Sequence, residues 1–178
     1  MYKRQILSYG INHFSYALLS DNAELINAYA DLSYSRYEKD IKRGGAVFCF
    51  IMQCIIKEDW ERFNWAMEIA RSKTVKRYPL MRFDLQCFEG IVEQNKQKVE
   101  DGLRELTTPR VHKLRNRHNI LLLEFISHPA LGYAKLAWLK GIGVEVSSPL
   151  IPKELLPVKP LDTYINEYAF LDEIQLPG

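Results

Sequence analysis

The chain has 178 residues, of which 47% are hydrophobic and 26% are charged, and this composition is typical of one folded domain. The formal net charge of +2 argues against a dedicated nucleic-acid-binding protein, which usually has a far more basic surface. No apolar run reaches the roughly 18 residues of a membrane span, and the N-terminal residues lack the apolar core of a signal peptide. We therefore expect a cytoplasmic protein with a single helical domain over residues 1–178.

The first third of the chain carries apolar residues at helical spacing. An amphipathic helix is predicted by the stripe formed by Leu7, Ile11, Phe14 and Leu18. The polar cluster Ser20–Asn22 caps a second helix, which extends to about Tyr37. Glu38–Gly45 is charged and ends in two glycines, which predicts a loop. Ala46–Ile56 is apolar on every side, and its length favours a buried helix over a buried strand.

Further helices follow up to residue 127. Asp59 belongs to the cap of a helix with an apolar stripe, and the basic stretch Arg71–Arg77 is expected to connect it to a helix over Leu80–Gln94. Asn95 starts a more polar helix. Thr108 followed by Pro109 is typical of a new helix start, since proline suits the first helical turn.

The most apolar helix of the chain is predicted to begin at Pro129. Its alanines and large apolar residues cover all sides, so this helix must be buried. Gly141 or Gly143 provides the left-handed cap that ends it. Pro149 and Pro152 then exclude both a continued helix and a central strand, which predicts an extended arm lying back across the body.

A similar pattern recurs along the chain. An apolar helix ends, a polar cap follows around Asp21, Asp59 and Asn95, and an apolar residue stands four positions later. The caps lie 38 and 36 residues apart, and the start at Pro129 follows 34 residues later. These periods predict an all-α fold of stacked antiparallel helical hairpins, either a tetratricopeptide-like (TPR-like) repeat array or an up-and-down bundle. The hairpins would occupy residues 1–140, followed by the extended arm and a short helical tail over 141–178.

No pattern for catalysis, a cofactor or a metal is present in the sequence. His112 and His118 are six residues apart, so they do not share a helix face as a metal-binding pair would. Phosphate-loop, nucleophile-elbow, zinc-protease and dinucleotide motifs are all missing. Cys49, Cys54 and Cys87 lack ligand spacing and are expected to be reduced core thiols. We therefore expect a protein that is not an enzyme and that has no catalytic, cofactor-binding or metal-binding residues.

Two groups of polar residues are candidates for contact with a partner. A basic run on the helix after Pro109 is expected to be a solvated face, with contact to an acidic partner or an RNA backbone as the alternative; its members are Arg110, Lys113, Arg115 and Arg117. Tyrosines interleaved with acids are typical of protein interfaces. They stand after the second helix and in the tail, where docking of the aromatic residues on the last helix is equally possible. The candidate binding residues are Tyr34, Tyr37, Glu38, Asp40, Asp162, Tyr164, Glu167, Tyr168, Asp172 and Glu173.

The segment HPALGYAKLAWLKGIGVEVSSPLIPKELL, residues 128–156, resembles the closing signature of the immunity-49 family of bacterial polymorphic-toxin immunity proteins. The Ser-Pro-x-x-Pro-x-x-Leu-Leu ending of that family is matched here by Ser148, Pro149, Pro152, Leu155 and Leu156. The steps LLSDNAEL and KEDWERF are similar to the helix–Gly-Asp–helix steps of the family. They depart from that pattern at Ser20 and Glu58, which replace its small glycine.

The resemblance implies an all-α cytoplasmic protein that neutralises a cognate toxin domain encoded beside it, without catalytic residues. We expect a monomer or small homo-oligomer that occludes the toxin sterically, with no membrane or direct nucleic-acid contact. The near-neutral charge means that any acidity aimed at a nuclease toxin is local, or that the toxin is not a nuclease. The alternative is a helical-repeat scaffold that holds a peptide or partner protein in a concave groove.

Overall fold

The computed structural model describes residues 10–116 and 124–165, and within these ranges it contains nine α-helices and no β-strand. The helices are α1 Gly10–Leu19, α2 Ala23–Asp31, α3 Tyr37–Lys42, α4 Val47–Lys57, α5 Trp60–Ile69, α6 Arg82–Val92, α7 Lys96–Leu106, α8 Pro109–Asn116 and α9 His128–Leu139. A π-helical segment, Ala70–Val75, continues α5, and 3-10 turns occupy Pro79–Met81 and Lys153–Leu155. The all-α prediction is confirmed. None of the helices in these two ranges is long and apolar enough to cross a membrane.

Three helices begin at the predicted polar caps. The side chains of Asn22, Asp59 and Asn95 each accept a hydrogen bond from the backbone N–H three residues later, at 3.0–3.1 Å. Such a bond satisfies one of the N–H groups that a helix start leaves without a partner, and it contributes about 1 kcal/mol. These caps therefore set the starts of α2, α5 and α7.

Two predicted connections are helical in the structure. The second helix ends at Asp31 rather than near Tyr37, and α3 occupies most of the predicted Glu38–Gly45 loop. Tyr37 and Ile41 lie one turn apart and are both buried, an apolar pair that the charged residues around it concealed. The expected connector Arg71–Arg77 is likewise wrong, because α5 continues through it as the π-helical segment.

The core is centred on α4, which is buried continuously from Val47 to Ile55. Cys49, Cys54 and Cys87 are buried free thiols, as predicted. Burial raises the pKa of the Cys49 and Cys54 thiols to about 12, so both remain protonated at neutral pH. These thiols act as small apolar residues of the core.

Helices α6 and α7 form a close antiparallel hairpin. A Cβ atom on Gly90 would lie 2.7 Å from Val99 Cγ2, and one on Gly102 would lie 2.7 Å from Cys87 Sγ. Both distances are shorter than real Cβ contacts. The two glycines therefore allow the helix backbones to approach each other directly.

The last described helix packs on the first. Helix α9 contacts α1 as well as α6 and α7, and every residue from His128 to Ala137 is buried. At the crossing, a Cβ atom on Gly132 would lie 2.0 Å from Ser15 Oγ. The Ser15 hydroxyl donates to the carbonyl of His128 at 3.0 Å. Gly141 ends α9 with a φ of +82°, as the sequence predicts.

The arm after α9 is attached to the body by a buried ammonium group. Lys135 is 1% exposed, and its Nζ lies 2.7 Å from Asp21 Oδ1. The same ammonium donates to the carbonyls of Leu155 and Pro157 at 3.1 and 2.9 Å. The backbone N–H of Lys159 donates to the Asp21 carboxylate at 3.0 Å. This cluster holds the arm against the corner between α1 and α2.

Candidate functional site

The predicted tyrosine and acid residues after α2 form a compact group on α3. The Tyr34 hydroxyl donates to Asp40 Oδ2 at 2.7 Å, and the rings of Tyr34 and Tyr37 lie 5.1 Å apart. Glu38 is exposed and pairs with Lys42 one turn later at 2.6 Å. Tyr34, Glu38 and Asp40 therefore lie together at the protein surface, and we call them the α3 group.

Tyr37 lies beneath that group rather than within it. It is 5% exposed, and its hydroxyl donates to Gln53 Oε1 at 2.7 Å. The Gln53 amide in turn donates to the carbonyls of Tyr29 and Leu32. Burial raises the pKa of Tyr37 far above its usual range. Tyr37 supports α3 from inside, so it cannot be a direct contact residue of this surface.

The tail residues occupy a different part of the molecule. Asp162 and Tyr164 are exposed, and the Tyr164 hydroxyl donates to the carbonyl of Ser20 at 3.0 Å. That bond places Tyr164 beside the corner between α1 and α2. The four remaining predicted tail residues lie outside the described residues, namely Glu167, Tyr168, Asp172 and Glu173.

A cleft of about 450 Å³ lies next to the α3 group, where the turn after α3 faces the π-helical segment. The described part of its lining carries three cationic side chains, one carboxylate and two tyrosines. We call it the basic cleft; its side-chain lining consists chiefly of Tyr34, Asp40, Arg43, Lys73, Arg77 and Tyr78. Sequence reasoning missed this cleft, because its cations come from two stretches that were interpreted as separate connections.

Local backbone geometry builds the walls of the basic cleft. Gly44 has a φ of +84°, which a residue with a Cβ atom rarely adopts. The Thr74 hydroxyl donates to the carbonyl of Gly44 at 3.1 Å, and a Cβ atom on Gly44 would lie 2.8 Å from the Thr74 Oγ1. The turn after α3 is therefore held directly against the π-helical segment. Such π-helical interruptions are frequent at functional sites.

A second, smaller cavity of about 230 Å³ lies between α2, α4 and α5. Its charged lining is already engaged within the protein. Lys57 pairs with Asp31, Asp59 caps α5, and the Arg62 guanidinium stacks 4.7 Å from the Phe50 ring centre. This cavity is therefore a weaker candidate for binding.

The basic run on α8 is divided between surface and core. Arg110 and Lys113 are exposed, whereas Arg117 lies outside the described residues. Arg115 is largely buried and its guanidinium contacts the fully buried carboxylate of Asp84. The expected solvated face is therefore wrong for Arg115, because this residue lies one turn after the buried Val111 and shares its face.

The buried polar groups include two histidines, His112 and His128. His128 is 2% exposed, and its Nε2 lies 2.6 Å from the Tyr16 hydroxyl. Burial lowers the pKa of His128, with a further contribution from His112. Within residues 10–116 and 124–165, no group of three or more histidine, cysteine or acidic side chains could hold a metal ion.

A family model described as immunity protein 49 matches residues 6–155. The chain belongs to the immunity protein 49 family. The resemblance identified from the closing motif is thereby confirmed, and so is the expectation of a non-enzymatic protein, since immunity proteins generally inhibit toxins without catalysis. No curated protein and no solved structure matches the chain.

The family match separates the two groups of candidate residues in this immunity protein. The α3 group and the basic cleft lie inside the matched range, 6–155, whereas Asp162 and Tyr164 lie beyond it. The arm up to Leu155 is also included, together with the Lys135 cluster that attaches it. The surface around α3 is thus part of the portion that the chain shares with its family.

Proposed function

We propose that this immunity protein binds a cognate toxin domain, encoded beside it, as a stoichiometric inhibitor that acts by steric occlusion in the cytoplasm. Membership of the immunity protein 49 family is the observation that carries the proposal, because an immunity family implies a toxin partner. Occlusion requires no cofactor and no nucleic acid. It requires only a rigid surface that fits the toxin, presented by a monomer or small homo-oligomer.

The surface that we favour for this contact is the α3 group. Its tyrosine is held by a hydrogen bond to Asp40, and Tyr37 with Gln53 fixes α3 from below. A side chain that is already ordered loses little conformational entropy on binding, which favours affinity. Asp162 and Tyr164 remain a second proposed contact region, and the tail residues from Glu167 to Glu173 remain predictions.

The rival function is a helical-repeat scaffold that binds a peptide in a concave groove. In an open repeat array each unit contacts only its neighbours. Here α9 packs on α1, with Gly132 against Ser15, which supports a closed bundle over a TPR-like array. A closed bundle does not form the open concave groove of stacked repeats, so this contact favours the immunity function over the scaffold.

Co-expression with the toxin domain encoded by the neighbouring gene tests the proposal. We expect the toxin alone to stop growth and the pair to grow, and we expect light scattering of the purified pair to give a one-to-one complex. Toxin activity in vitro should fall to zero at one equivalent of immunity protein. Absence of toxicity, or toxicity that persists without a complex, would lead us to the scaffold function instead.

Substitutions at the exposed acids test the proposed contact surface. Glu38→Ala and Asp162→Ala should each weaken toxin binding about fivefold or more, as measured by calorimetry, because each removes a carboxylate of the proposed contact surface. Glu105→Ala, on the exposed face of α7, is the matched control and should leave the dissociation constant unchanged. Equal affinities for all three variants would place the toxin on another face.

A further inference from the structure

We infer that the basic cleft takes carboxylate side chains of the toxin partner, so that the contacting loop of the toxin is acidic. This inference rests on the proposed function, and it adds the chemistry of the partner at one defined place. At this cleft the immunity protein supplies the basic side of the interface, next to the acidic α3 group that the sequence indicates.

The basic cleft has more cationic than acidic side chains among its described residues. Arg43, Lys73 and Arg77 are exposed around it, and among the described residues of its lining Asp40 is the acidic one. That carboxylate already accepts a hydrogen bond from Tyr34. Among the described residues of the cleft the positive charge therefore exceeds the negative charge by two, and a concave wall concentrates the resulting field.

Some exposed cations outside the cleft, such as Lys76 and Arg110, form no ion pair among the described residues, but in the basic cleft three such cations lie together. Many cations of the described residues contact a carboxylate, among them Lys42, Lys57, Arg71, Lys98, Arg104 and Lys140. Within residues 10–116 and 124–165, Arg43, Lys73 and Arg77 form no such pair. Three unneutralised cations in one cleft are available to a partner that brings carboxylates.

The walls of the basic cleft and its Arg77 side chain are held in place by contacts within the protein. The bond from Thr74 to the Gly44 carbonyl fixes one wall against the other. The Arg77 guanidinium lies 5.2 Å from the ring centre of Tyr78, which is 48% exposed. Stacking on an aromatic ring holds the planar guanidinium in place for a bidentate bond to a carboxylate. Arginine and tyrosine are also the residues that contribute most to binding at protein interfaces.

The size of the charged surface favours a protein over a nucleic acid. A protein that binds a nucleic-acid duplex contacts an extended row of phosphates, roughly six to ten of them. The described residues of the basic cleft offer three cations in about 450 Å³, and the whole chain has a net charge of only +2. Two or three carboxylates on one loop of a toxin domain match that number of cations.

Charge reversal in the cleft is the direct test. The double variant R43E/R77E should bind the toxin domain at least about tenfold more weakly than wild type, and its affinity should depend less on salt concentration. The matched control is R110E/K113E on α8, which reverses two exposed cations outside the cleft and should bind within about twofold of wild type. Thermal unfolding of each variant checks the fold, and K73E alone replaces the double variant if that variant unfolds.

The remaining outcomes are distinguishable. If wild type neither rescues growth nor forms a complex, the proposed function fails before the cleft is tested. If wild type binds and the folded cleft variants bind equally well, the inference is overturned while the function stands. If the cleft variants lose binding of a labelled 12-nucleotide RNA but keep toxin binding, the cleft is a nucleic-acid site. An acidic-to-lysine change in the toxin loop that restores binding to R43E/R77E would establish the contact.

Discussion

At the residue scale, the buried charges are the positions where a single change has the largest effect. Lys135 lies inside α9, bonded to Asp21 and to two carbonyls of the arm, and Asp84 lies beneath α8, bonded to Arg115 and Tyr133. A buried charge is tolerated because each of its polar contacts replaces water. Removing one partner leaves the other buried and uncompensated.

Replacing Lys135 should therefore destabilise the protein strongly. We expect Lys135→Met to lower the free energy of unfolding by about 3–5 kcal/mol, since the Asp21 carboxylate and two carbonyls lose their partner. Urea unfolding followed by circular dichroism measures the effect. Lys113→Met, at an exposed position of α8, should change it by less than about 0.5 kcal/mol. A loss below about 1 kcal/mol for Lys135→Met would show that the cluster does not hold the arm.

The hydroxyl of Tyr133 should also stabilise the protein, because it is a hydrogen-bond partner of the buried Asp84 carboxylate. It is fully buried and donates to Asp84 Oδ1 at 2.7 Å. Tyr133→Phe should lower the free energy of unfolding by about 1–3 kcal/mol, because the carboxylate loses a donor. Tyr78→Phe, where the ring is exposed, serves as the control and should be neutral. If the two variants unfold at the same urea concentration, the hydrogen bond from Tyr133 to Asp84 does not stabilise the protein.

His128 should make the stability depend on pH. Burial lowers the pKa of His128 in the folded state, so the unfolded state binds a proton more readily. The contribution of the neutral imidazole to the free energy of unfolding is then fully present above about pH 6.5, the usual histidine pKa. This contribution decreases as the pH falls below that value. Between pH 7.5 and pH 5.5, wild type should lose more unfolding free energy than His128→Gln. Parallel losses in the two proteins would contradict this account.

At the element scale, the close hairpin of α6 and α7 depends on glycine inside helices, where alanine is intrinsically preferred by about 1 kcal/mol. A Cβ atom on Gly102 would lie 2.7 Å from Cys87 Sγ and 3.1 Å from the Phe83 carbonyl oxygen. The steric cost there exceeds the gain in helix propensity. A backbone carbonyl cannot rotate away as a flexible side chain can.

Gly102→Ala should accordingly destabilise the protein, although the same change usually stabilises an exposed helix. We expect a loss of about 1–3 kcal/mol in unfolding free energy from overpacking. Differential scanning calorimetry is a suitable measurement. Glu105→Ala in the same helix is exposed and should change the stability by less than about 0.5 kcal/mol. A stabilised Gly102→Ala protein would mean that the two helices can separate without cost.

At the scale of the whole molecule, the contact between α1 and α9 decides how the protein unfolds. The first and the last described α-helices share one core through Ser15 and Gly132, so neither of these two helices has a core of its own. An open repeat array, by contrast, loses cooperativity as it becomes longer. The fold therefore predicts one cooperative unit.

Urea unfolding should show a single transition with all probes. The chain has three tryptophans, Trp60 and Trp65 in α5 and Trp138 in α9. Tryptophan fluorescence and far-UV circular dichroism should give the same midpoint, and Gly132→Ala should lower both midpoints together. Two separated transitions, or a Gly132→Ala effect on one probe alone, would indicate independent halves and favour the array.

The sequence by itself determined the helices and the family. The caps at Asn22, Asp59 and Asn95, the buried α4 and α9, and the thiols in the core follow from local spacing, which one stretch of chain contains completely. The closing motif identified the immunity protein 49 family. The sequence-based prediction was wrong in two places, α3 and the π-helical segment, which were both predicted to be connections. Each has many ionic side chains around a few buried apolar ones.

Only the tertiary structure decided which charges face inward and which surfaces meet. The burial of Lys135 and Arg115, the position of Tyr37 beneath the α3 group, and the basic cleft each depend on residues far apart in the chain. Lys135 and Asp21, for example, are separated by 114 positions. A periodic pattern shows which residues share one face of a helix, but it does not show which other helix that face packs against. For that physical reason the helices were predictable, whereas the cleft required the packed molecule.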